Sequence, residues 1–426
     1  MAGASLVQPS SPEGPRLQSD MDRKPTGSGI RTIPQNGVLL RPLMPELDSV
    51  RGVAILMVLF YHALASQFGV GSFTGLPKML ISIAAPGWAG VNLFFVLSGF
   101  LITGILLDSK ARANYYKRFY LRRALRILPA YYAVLLLVAL LRRYALQEGQ
   151  VPSWKFLALS AIYLANVTVL FGVPMQYAVL WSLAVEEHFY FVWPVVVRNF
   201  NRRAIAVVAI AVVVATTVAR ILTFQSGHYD SYHGYFTWLV ADALALGALL
   251  AVLLRGRLGT RDGLKQIVLL LFCGSALLVM DKPLHQHWFG GMLHLNALNF
   301  LCAAIVGSVL WVGTGPWKWI VNRPVLRFFG EISYGLYLIH MLIFRVFDNL
   351  HRRFFPQVPL YQLNFGVLLV RLVICGGVAV FVAFISRRYF EQPFLSLKDR
   401  LLAPEPIAAV TPIPEGASAA ERVQAT

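Results

Sequence analysis

An arginine and a histidine stand at the two ends of the first long apolar run of the chain. Arg51 lies near its start, in the sequence LDSVRGVAILMVLFYH, and His62 closes it. Eleven residues make about three helical turns, so both side chains share one helix face, about 16 Å apart along its axis. A cation and a titratable imidazole on one face suit an extended ligand held at two points. The structural alternative is that Arg51 pairs with Asp48 and His62 is a hydrogen-bonded interfacial histidine.

Acidic residues recur at a similar depth in later apolar runs. Glu186 and Glu187 lie in LWSLAVEEHFYFVW, and Asp242 lies in WLVADALALG. In the topology predicted below, these acids and His62 all fall in the outer half of the membrane. A carboxylate beside a histidine orients the ring and stabilises the imidazolium formed when the ring takes a proton, which is general-base chemistry.

The structural alternative for these acids is a buried network of ion pairs. Three arginines fall in the same half of the membrane and either bind a polar acceptor or neutralise the acids: Arg220, Arg345 and Arg371. Ionisable groups inside a membrane span are costly, which makes each of them a functional candidate.

A basic segment, YKRFYLRRALR, precedes the third predicted span. Arg118, Arg122 and Arg126 are four residues apart and share one helix face, and Arg123 lies three residues before Arg126. Each planar guanidinium can bind two phosphate oxygens, so this ridge suits a phosphate-bearing ligand. The alternative is that these arginines only set the membrane topology or contact anionic lipid.

Two further positions allow a structural and a functional interpretation. Gly99, in NLFFVLSGFLITGIL, permits close helix packing or lines a ligand channel. His340, at the end of GEISYGLYLIH, is a packed, hydrogen-bonded histidine or a second base.

The elements that carry these residues are membrane helices. Of the 426 residues 57% are hydrophobic and only 14% are charged; the mean hydropathy is +0.62. The apolar residues come in runs long enough to cross a bilayer, which excludes a soluble globule and predicts an all-α, polytopic membrane protein. The net charge of +18 comes largely from short loops between these runs, so topology accounts for it without nucleic-acid binding.

The sequence offers little sign of a disulfide framework or a metal site. Its three cysteines, Cys273, Cys302 and Cys375, are isolated in apolar runs. The cluster of His285, His287 and His294 fits a solvated loop better than a ligand set. GxSxG, phosphate-loop and HExxH motifs are absent, and no metal is expected.

We predict ten membrane spans, at residues 49–66, 86–107, 128–141, 180–197, 204–222, 237–254, 266–280, 293–313, 328–347 and 363–385. An eleventh apolar segment, residues 156–171, would place the basic loop 198–203 outside if it crossed, so the positive-inside rule favours an interfacial or re-entrant segment. The same rule places both termini in the cytoplasm. The ends rich in Ser, Pro and Gly, 1–42 and 401–426, are predicted to be disordered tails around a transmembrane domain at 43–400.

Six motifs in order resemble the membrane-bound acyltransferase 3 family, from about residue 45 to 397. They are Arg51 with His62 in LDSVRGVAILMVLFYH, FFVLSGFLI at 94–102, the Arg123-x-x-Arg126 pair, WSLAVEEHFY at 181–190, SYGLYLIH at 333–340 and FEQP at 390–393.

The resemblance implies a ten-helix O-acyltransferase of the cell membrane, the inner membrane of a bacterium. Such an enzyme moves an acyl group, usually acetyl, from cytoplasmic acyl-CoA to a hydroxyl of a surface glycan, a lipid-linked sugar or a related acceptor. By position, His62 is implied as the base and Arg51 as its motif partner. Glu186 and Glu187 both match the acidic position of the family motif, and the sequence does not decide which of the two has its role. Some members carry an extra helix and a C-terminal esterase-like domain, for which this sequence gives no sign.

The resulting hypothesis is that acyl-CoA binds its phosphates at Arg122, Arg123 and Arg126 and extends its thioester towards His62. His62 then takes the proton of the acceptor hydroxyl during direct attack, with an acyl-enzyme relay left open. Membrane lipid is the remaining expected partner.

Two other functions stay open at this stage. A secondary transporter would use the intramembrane Glu, Asp, His and Arg residues as a relay, although repeats and broken helices are not evident. A membrane acyltransferase of another family would take a lipid or peptide acceptor. Binding of labelled acetyl-CoA to the purified protein separates the first of these from the enzyme hypothesis.

Overall fold

A computed structural model describes residues 40, 44–66, 73–142, 151–226, 233–256, 258–280, 288–311, 319, 321–358 and 364–401. Every regular element in these ranges is helical, which confirms the predicted all-α class. The predicted tails at 1–42 and 401–426 lie outside the described residues except for residues 40 and 401, and His285 and His287 lie outside them as well.

The α-helices of the described ranges are α1 Pro45–Phe60, α2 Gly75–Ala84, α3 Gly90–Asp108, α4 Tyr115–Leu141, α5 Trp154–Ala161, α6 Leu180–Asn199, α7 Arg202–Gln225, α8 Thr237–Val240, α9 Asp242–Leu254, α10 Arg261–Met280, α11 Trp288–Trp311, α12 Pro324–Phe354, α13 Phe365–Ile385 and α14 Gln392–Leu401. Short π-helical turns follow α1 and α13, and 3-10 turns follow α2 and lie between α5 and α6.

Six helices of the described part are long and apolar enough to cross a membrane: Pro45–Ala65, Gly75–Asp108, Tyr115–Leu141, Arg202–Gln225, Leu293–Leu310 and Phe365–Leu397. All ten predicted spans overlap a helix. Four of them overlap only helices that are too short or not apolar enough to be among these six; α9, for example, has only 13 residues. The membrane architecture is thus supported, while the count of ten spans and the cytoplasmic side of the termini stay predictions.

The segment at residues 156–171 runs back along α4. At the start of α5, the Trp154 ring lies 4.3 Å from the guanidinium of Arg142, at the end of α4. At the end of α5, the carbonyl of Ser160 accepts a hydrogen bond of 2.6 Å from the Tyr131 hydroxyl. Tyr131 precedes Arg142 by eleven residues, about 16 Å of helix. The segment therefore descends from the end of α4 towards its middle.

After α5 the segment turns back towards the end of α4. Tyr163, which has a positive φ of 59°, stacks on Tyr131 with ring centroids 4.4 Å apart. The 3-10 turn Ala165–Phe171 follows, and the Lys155 ammonium donates a hydrogen bond of 2.7 Å to the carbonyl of Phe171. The end of the turn therefore lies beside the start of α5, as expected for the re-entrant form of the predicted segment.

Glycines bring the helices that carry the candidate site residues into backbone contact. A Cβ on Gly52 would lie 2.0 Å from the carbonyl oxygen of Leu326, and one on Gly330 would lie 1.9 Å from that of Asp48. Helices α1 and α12 therefore pack at a spacing that only glycine allows. Gly99 has the same role between α3 and α9, where its Cβ would lie 2.0 Å from the Leu244 carbonyl oxygen. The packing interpretation of Gly99 is confirmed.

We expect Gly330→Ala to lower the free energy of unfolding by about 1–3 kcal/mol, because the added methyl forces α12 away from α1. Thermal unfolding of the purified protein in detergent checks this. Gly377→Ala is the matched control, since nothing lies within 4 Å of a Cβ at that position of α13. Equal stability of the two variants would contradict the close contact of α1 with α12.

Candidate active site

Arg51 lies on α1, and His62 lies eleven residues further along, in the turn that continues this helix. Pro45 opens the helix, where its missing N–H breaks no intrahelical hydrogen bond. After Phe60 the helix widens into a π-turn at Tyr61–Ala65. Such turns often occur at functional sites, and this one contains His62.

The imidazole of His62 faces a second histidine, His340. Its Nδ1 atom lies 2.9 Å from the carbonyl oxygen of Val58 and 3.3 Å from Nε2 of His340. Nδ1 of His340 lies 3.1 Å from the carbonyl oxygen of Leu336. Because carbonyl oxygens only accept, we assign the proton of each ring to Nδ1. Nε2 of His62 then has a free lone pair, the state that a general base needs.

His340 therefore has both features that the sequence offered as alternatives. It is fully buried and hydrogen-bonded, as a structural histidine would be. It also contacts the candidate base directly. The sequence did not predict this pairing, because spacing along one helix does not show which helices are neighbours.

The carboxylates expected beside His62 lie elsewhere, which corrects that grouping. Glu186 and Glu187 both face Arg123, at 3.9 Å and 3.8 Å between carboxylate oxygen and guanidinium nitrogen. Asp242 forms a buried ion pair of 2.7 Å with Arg220, as the structural alternative proposed.

The physical reason lies in α4. The predicted span began at residue 128, which left the arginine ridge outside the membrane helix. In the structure α4 begins at Tyr115 and includes the whole ridge. Only 18% of the Arg123 side chain is exposed, so this cation is available inside the bundle to meet the acids of α6.

A cavity of about 980 Å³ opens at the end of the bundle where α1 begins, here called the arginine cavity. Among the described residues its lining contains seven arginines: Arg51, Arg112, Arg118, Arg122, Arg123, Arg126 and Arg387. It contains four carboxylates: Asp48, Asp108, Glu331 and Glu391. The excess of positive charge in a concave space favours an anionic ligand.

Three of the four acids already have a cation. Arg387 lies 3.7 Å from Glu391. Arg51 donates a hydrogen bond of 3.0 Å to Asp48, so the predicted local pair exists, yet Arg51 still lines the cavity. Arg255 binds both oxygens of Asp108, each at 2.7 Å. Arg126 is exposed to the cavity, and the described part of the chain gives it neither a hydrogen bond nor an ion pair.

A narrow pocket of about 90 Å³, here called the inner pocket, continues the arginine cavity into the bundle. Both spaces are lined by Arg51, Arg123, Arg126, Ser333 and Tyr334. The two spaces therefore meet at Arg51, Arg123 and Arg126.

Several polar groups line the inner pocket on the side that faces the histidine pair. The Ser98 hydroxyl donates a hydrogen bond of 2.8 Å to Glu186. Further in, the hydroxyls of Ser182 and Tyr337 share one of 2.6 Å. The Tyr337 ring centroid lies 5.8 Å from that of His340. This line of groups connects the arginine cavity to the neighbourhood of the candidate base.

The two glutamates face different spaces. Glu186 lines the inner pocket, whereas Glu187 lines a separate side cavity of about 320 Å³ with Ile162, His188 and Phe191. Ile162 and Phe191 are 65% and 75% exposed, so this cavity opens on the outer surface of the helices. The geometry favours Glu186 for a role towards a ligand in the inner pocket.

An arginine-lined cavity that continues into a helical membrane bundle towards a pair of histidines indicates a membrane protein that handles an anionic ligand. The sequence profile of an acyltransferase domain matches residues 44–387. The chain belongs to the acyltransferase 3 family, as its motifs indicate.

Curated relatives carry related names. The peptidoglycan O-acetyltransferase OatA of Listeria monocytogenes is 26% identical over 382 residues, covering 83% of this chain and 56% of OatA. The provisionally named peptidoglycan O-acetyltransferase YrhL of Bacillus subtilis is 29% identical over 327 residues, covering 70% and 48%. A provisionally named O-acetyltransferase of Staphylococcus aureus is 26% identical over 388 residues, covering 82% and 57%. The chain thus spans about half the length of these relatives. No solved structure gives a significant match.

Proposed function

We propose that this protein is a membrane O-acyltransferase that moves an acetyl group from acetyl-CoA to a hydroxyl of a cell-envelope glycan or lipid-linked sugar. The observation that carries this proposal is the continuity of the arginine cavity with the inner pocket, which leads towards the His62–His340 pair. Membership of the family supports acyl transfer, and the names of the relatives support a glycan acceptor.

The nucleotide part of the donor fits the arginine cavity. Its phosphates would be bound by Arg122, Arg123 and Arg126, with Arg126 as the principal contact because Arg123 already faces two carboxylates. A guanidinium fork can bind two phosphate oxygens at once. We place the donor on the cytoplasmic side because acyl-CoA is made there.

The slender part of the donor fits the inner pocket. A volume of about 90 Å³ is too small for a nucleotide. Its lining of hydroxyls and one carboxylate among apolar side chains suits the amide-bearing arm of coenzyme A and a short acyl group. Glu186 would accept a hydrogen bond from an amide N–H of this arm. The distance from Arg51 to His62, about 16 Å along α1, is then spanned by an extended thioester arm.

The reaction follows from the tautomer of His62. Nε2 takes the proton of the acceptor hydroxyl as the oxygen attacks the thioester carbonyl. The C–O ester bond forms, the C–S bond breaks, and the thiolate of coenzyme A leaves and takes up a proton. Holding donor and acceptor in line with the base supplies much of the rate acceleration. Arg51, which lines both spaces, would orient the donor between its phosphates and its thioester.

The experiment uses the purified protein in lipid nanodiscs with acetyl-CoA labelled in the acetyl group and soluble fragments of the host's cell-envelope glycans. We expect an alkali-labile labelled ester that forms only when protein, donor and glycan are all present. A folded protein that does not bind acetyl-CoA would contradict the enzyme proposal and restore the transporter alternative.

The same assay distinguishes the two glutamates. Glu186→Gln is expected to raise the KM for acetyl-CoA about tenfold, because a hydrogen bond to a charged group contributes about 1.5–3 kcal/mol. Glu187→Gln is the matched control, since it also removes one carboxylate from Arg123 but lies outside the inner pocket. The same KM in both variants would contradict a donor contact at Glu186.

A further inference from the structure

An ion pair lies buried beside His62, and the proposed transfer does not use it. Arg371 of α13 binds Asp348 of α12 through two nearly parallel hydrogen bonds, 2.7 Å from Nε to Oδ1 and 2.9 Å from Nη2 to Oδ2. The two residues are only 2% and 4% exposed. Desolvation of two charges offsets most of the attraction between them, so a buried ion pair alone is a weak source of stability.

The remaining face of the Arg371 guanidinium is directed at the turn that carries His62. Its Nη1 atom donates to the carbonyl oxygens of His62, at 3.0 Å, and Ala63, at 2.8 Å. Four hydrogen bonds therefore hold the guanidinium, two to Asp348 of α12 and two to carbonyls of the π-turn.

The carbonyls that Arg371 binds lie in the last described turn of this helix. The carbonyl of His62 also accepts a hydrogen bond of 3.2 Å from the Ser66 hydroxyl. The last four carbonyls of a helix have no intrahelical donor. In the π-turn the N–H of Ser66 bonds to the carbonyl of Tyr61, at 2.8 Å, instead of the carbonyl of His62, four residues back. Arg371 supplies donors to the His62 and Ala63 carbonyls, and its own charge is neutralised by Asp348.

We propose that Arg371 and Asp348 are positioning residues that hold the π-turn so that the His62 ring meets His340 and presents Nε2 to the acceptor. This inference rests on the proposed function of His62 as the base. Arg371 touches the backbone of His62 and no reacting atom; Asp348 fixes the plane of the guanidinium. Release of the turn would let the ring rotate away from Val58 and His340.

A second buried pair in the same bundle provides a matched control. Arg220 binds Asp242 at 2.7 Å, and each side chain is 1% exposed. The other contacts of Arg220 are with the Leu239 carbonyl and Asn296. The pairs are thus alike in residue type, distance and burial, but only Arg371 bonds to the backbone of the base.

The experiment compares Arg371→Gln and Arg371→Lys with Arg220→Gln and Arg220→Lys in the acetyl-transfer assay. We expect Arg371→Gln to lower kcat by about 10²-fold, the usual effect of a misplacement of about 1 Å at a reacting centre. The KM for acetyl-CoA should not change, since the arginine cavity lies at the other end of α1. Arg371→Lys should recover part of kcat, because an ammonium still reaches Asp348 and one carbonyl. Both Arg220 variants should keep kcat even where they lower the melting temperature.

A second readout does not depend on activity. Carbethoxylation of His62 by diethyl pyrocarbonate, measured on its peptide by mass spectrometry, should become faster in Arg371→Gln than in wild type and stay unchanged in Arg220→Gln. If wild type transfers no acetyl group, the proposed function fails, while this readout still tests whether Arg371 fixes the ring. An unchanged labelling rate, or an equal loss of kcat in the Arg371 and Arg220 variants, would overturn the inference.

Discussion

Replacing His62 with asparagine is expected to lower the rate of acetyl transfer by about 10²–10⁴-fold, the usual contribution of a general base. The asparagine amide can still donate to the Val58 carbonyl, so the π-turn should persist, but it has no lone-pair nitrogen to take a proton. Donor binding should stay at the wild-type level because the arginine cavity is unchanged. Initial rates with labelled acetyl-CoA, together with equilibrium donor binding, measure both quantities.

His351→Gln is the control for this variant. His351 lies on α12, as His340 does, but its ring packs on Phe347 and Phe355, and it contacts neither His62 nor the inner pocket. We expect its transfer rate to match that of wild type. Transfer at the wild-type rate by His62→Asn would show that another group removes the acceptor proton.

Replacing Arg126 with alanine is expected to raise the Kd for acetyl-CoA about 10–100-fold, since a hydrogen bond to a charged group contributes about 1.5–3 kcal/mol. Arg126 is exposed to the arginine cavity and, among the described residues, has no protein partner to compete with a phosphate. The kcat at saturating donor should change little, because the histidine pair is distant. The Kd of the Arg126→Lys variant should lie between those of wild type and Arg126→Ala, since an ammonium keeps the charge but lacks the planar fork.

Arg388→Ala tests whether the removal of one positive charge is enough to weaken the binding of acetyl-CoA. Arg388 is exposed and follows Arg387 in the chain, but it does not line the cavity. Its variant removes the same charge from the same end of the bundle and is expected to bind acetyl-CoA as wild type does. Equal weakening in both variants would indicate a long-range, salt-screened attraction instead of a phosphate contact at Arg126.

The sequence predicted the features that depend on one helix at a time. Hydropathy gave the helical membrane class, the positive-inside rule favoured an interfacial or re-entrant form of residues 156–171, and helical spacing placed Arg51 and His62 about three turns apart. The pairing of Arg51 with Asp48, three residues apart, followed from the same local geometry.

Features that depend on which helices are neighbours were missed or wrong. Depth along a span gives the level of a residue but not the side of the helix it occupies or the helix it faces. Glu186 was therefore grouped with His62 by depth, whereas it faces Arg123. The contact of His62 with His340 was missed because it depends on the parallel packing of α1 and α12 through Gly52 and Gly330.

The π-turn had no signal in the sequence. Residues 61–65, YHALA, are compatible with an ordinary helix, and the turn is stabilised by tertiary contacts of Arg371 with two carbonyls. Arg371 was identified as an intramembrane cation that either binds an acceptor or neutralises an acid. It neutralises Asp348, and its contact with the backbone of His62 became visible only in the structure.

The most direct test of the central claim compares the cell-envelope glycans of cells that express the wild-type gene, no gene, or the His62→Asn variant at equal protein level. Mass spectrometry of the isolated glycans measures the mass of one acetyl group and its loss under mild alkali. We expect the acetyl ester in wild-type cells only. An ester of equal abundance in cells with the His62→Asn variant, or no gene-dependent ester in any glycan fraction, would contradict the proposed glycan O-acetyl transfer with His62 as its base.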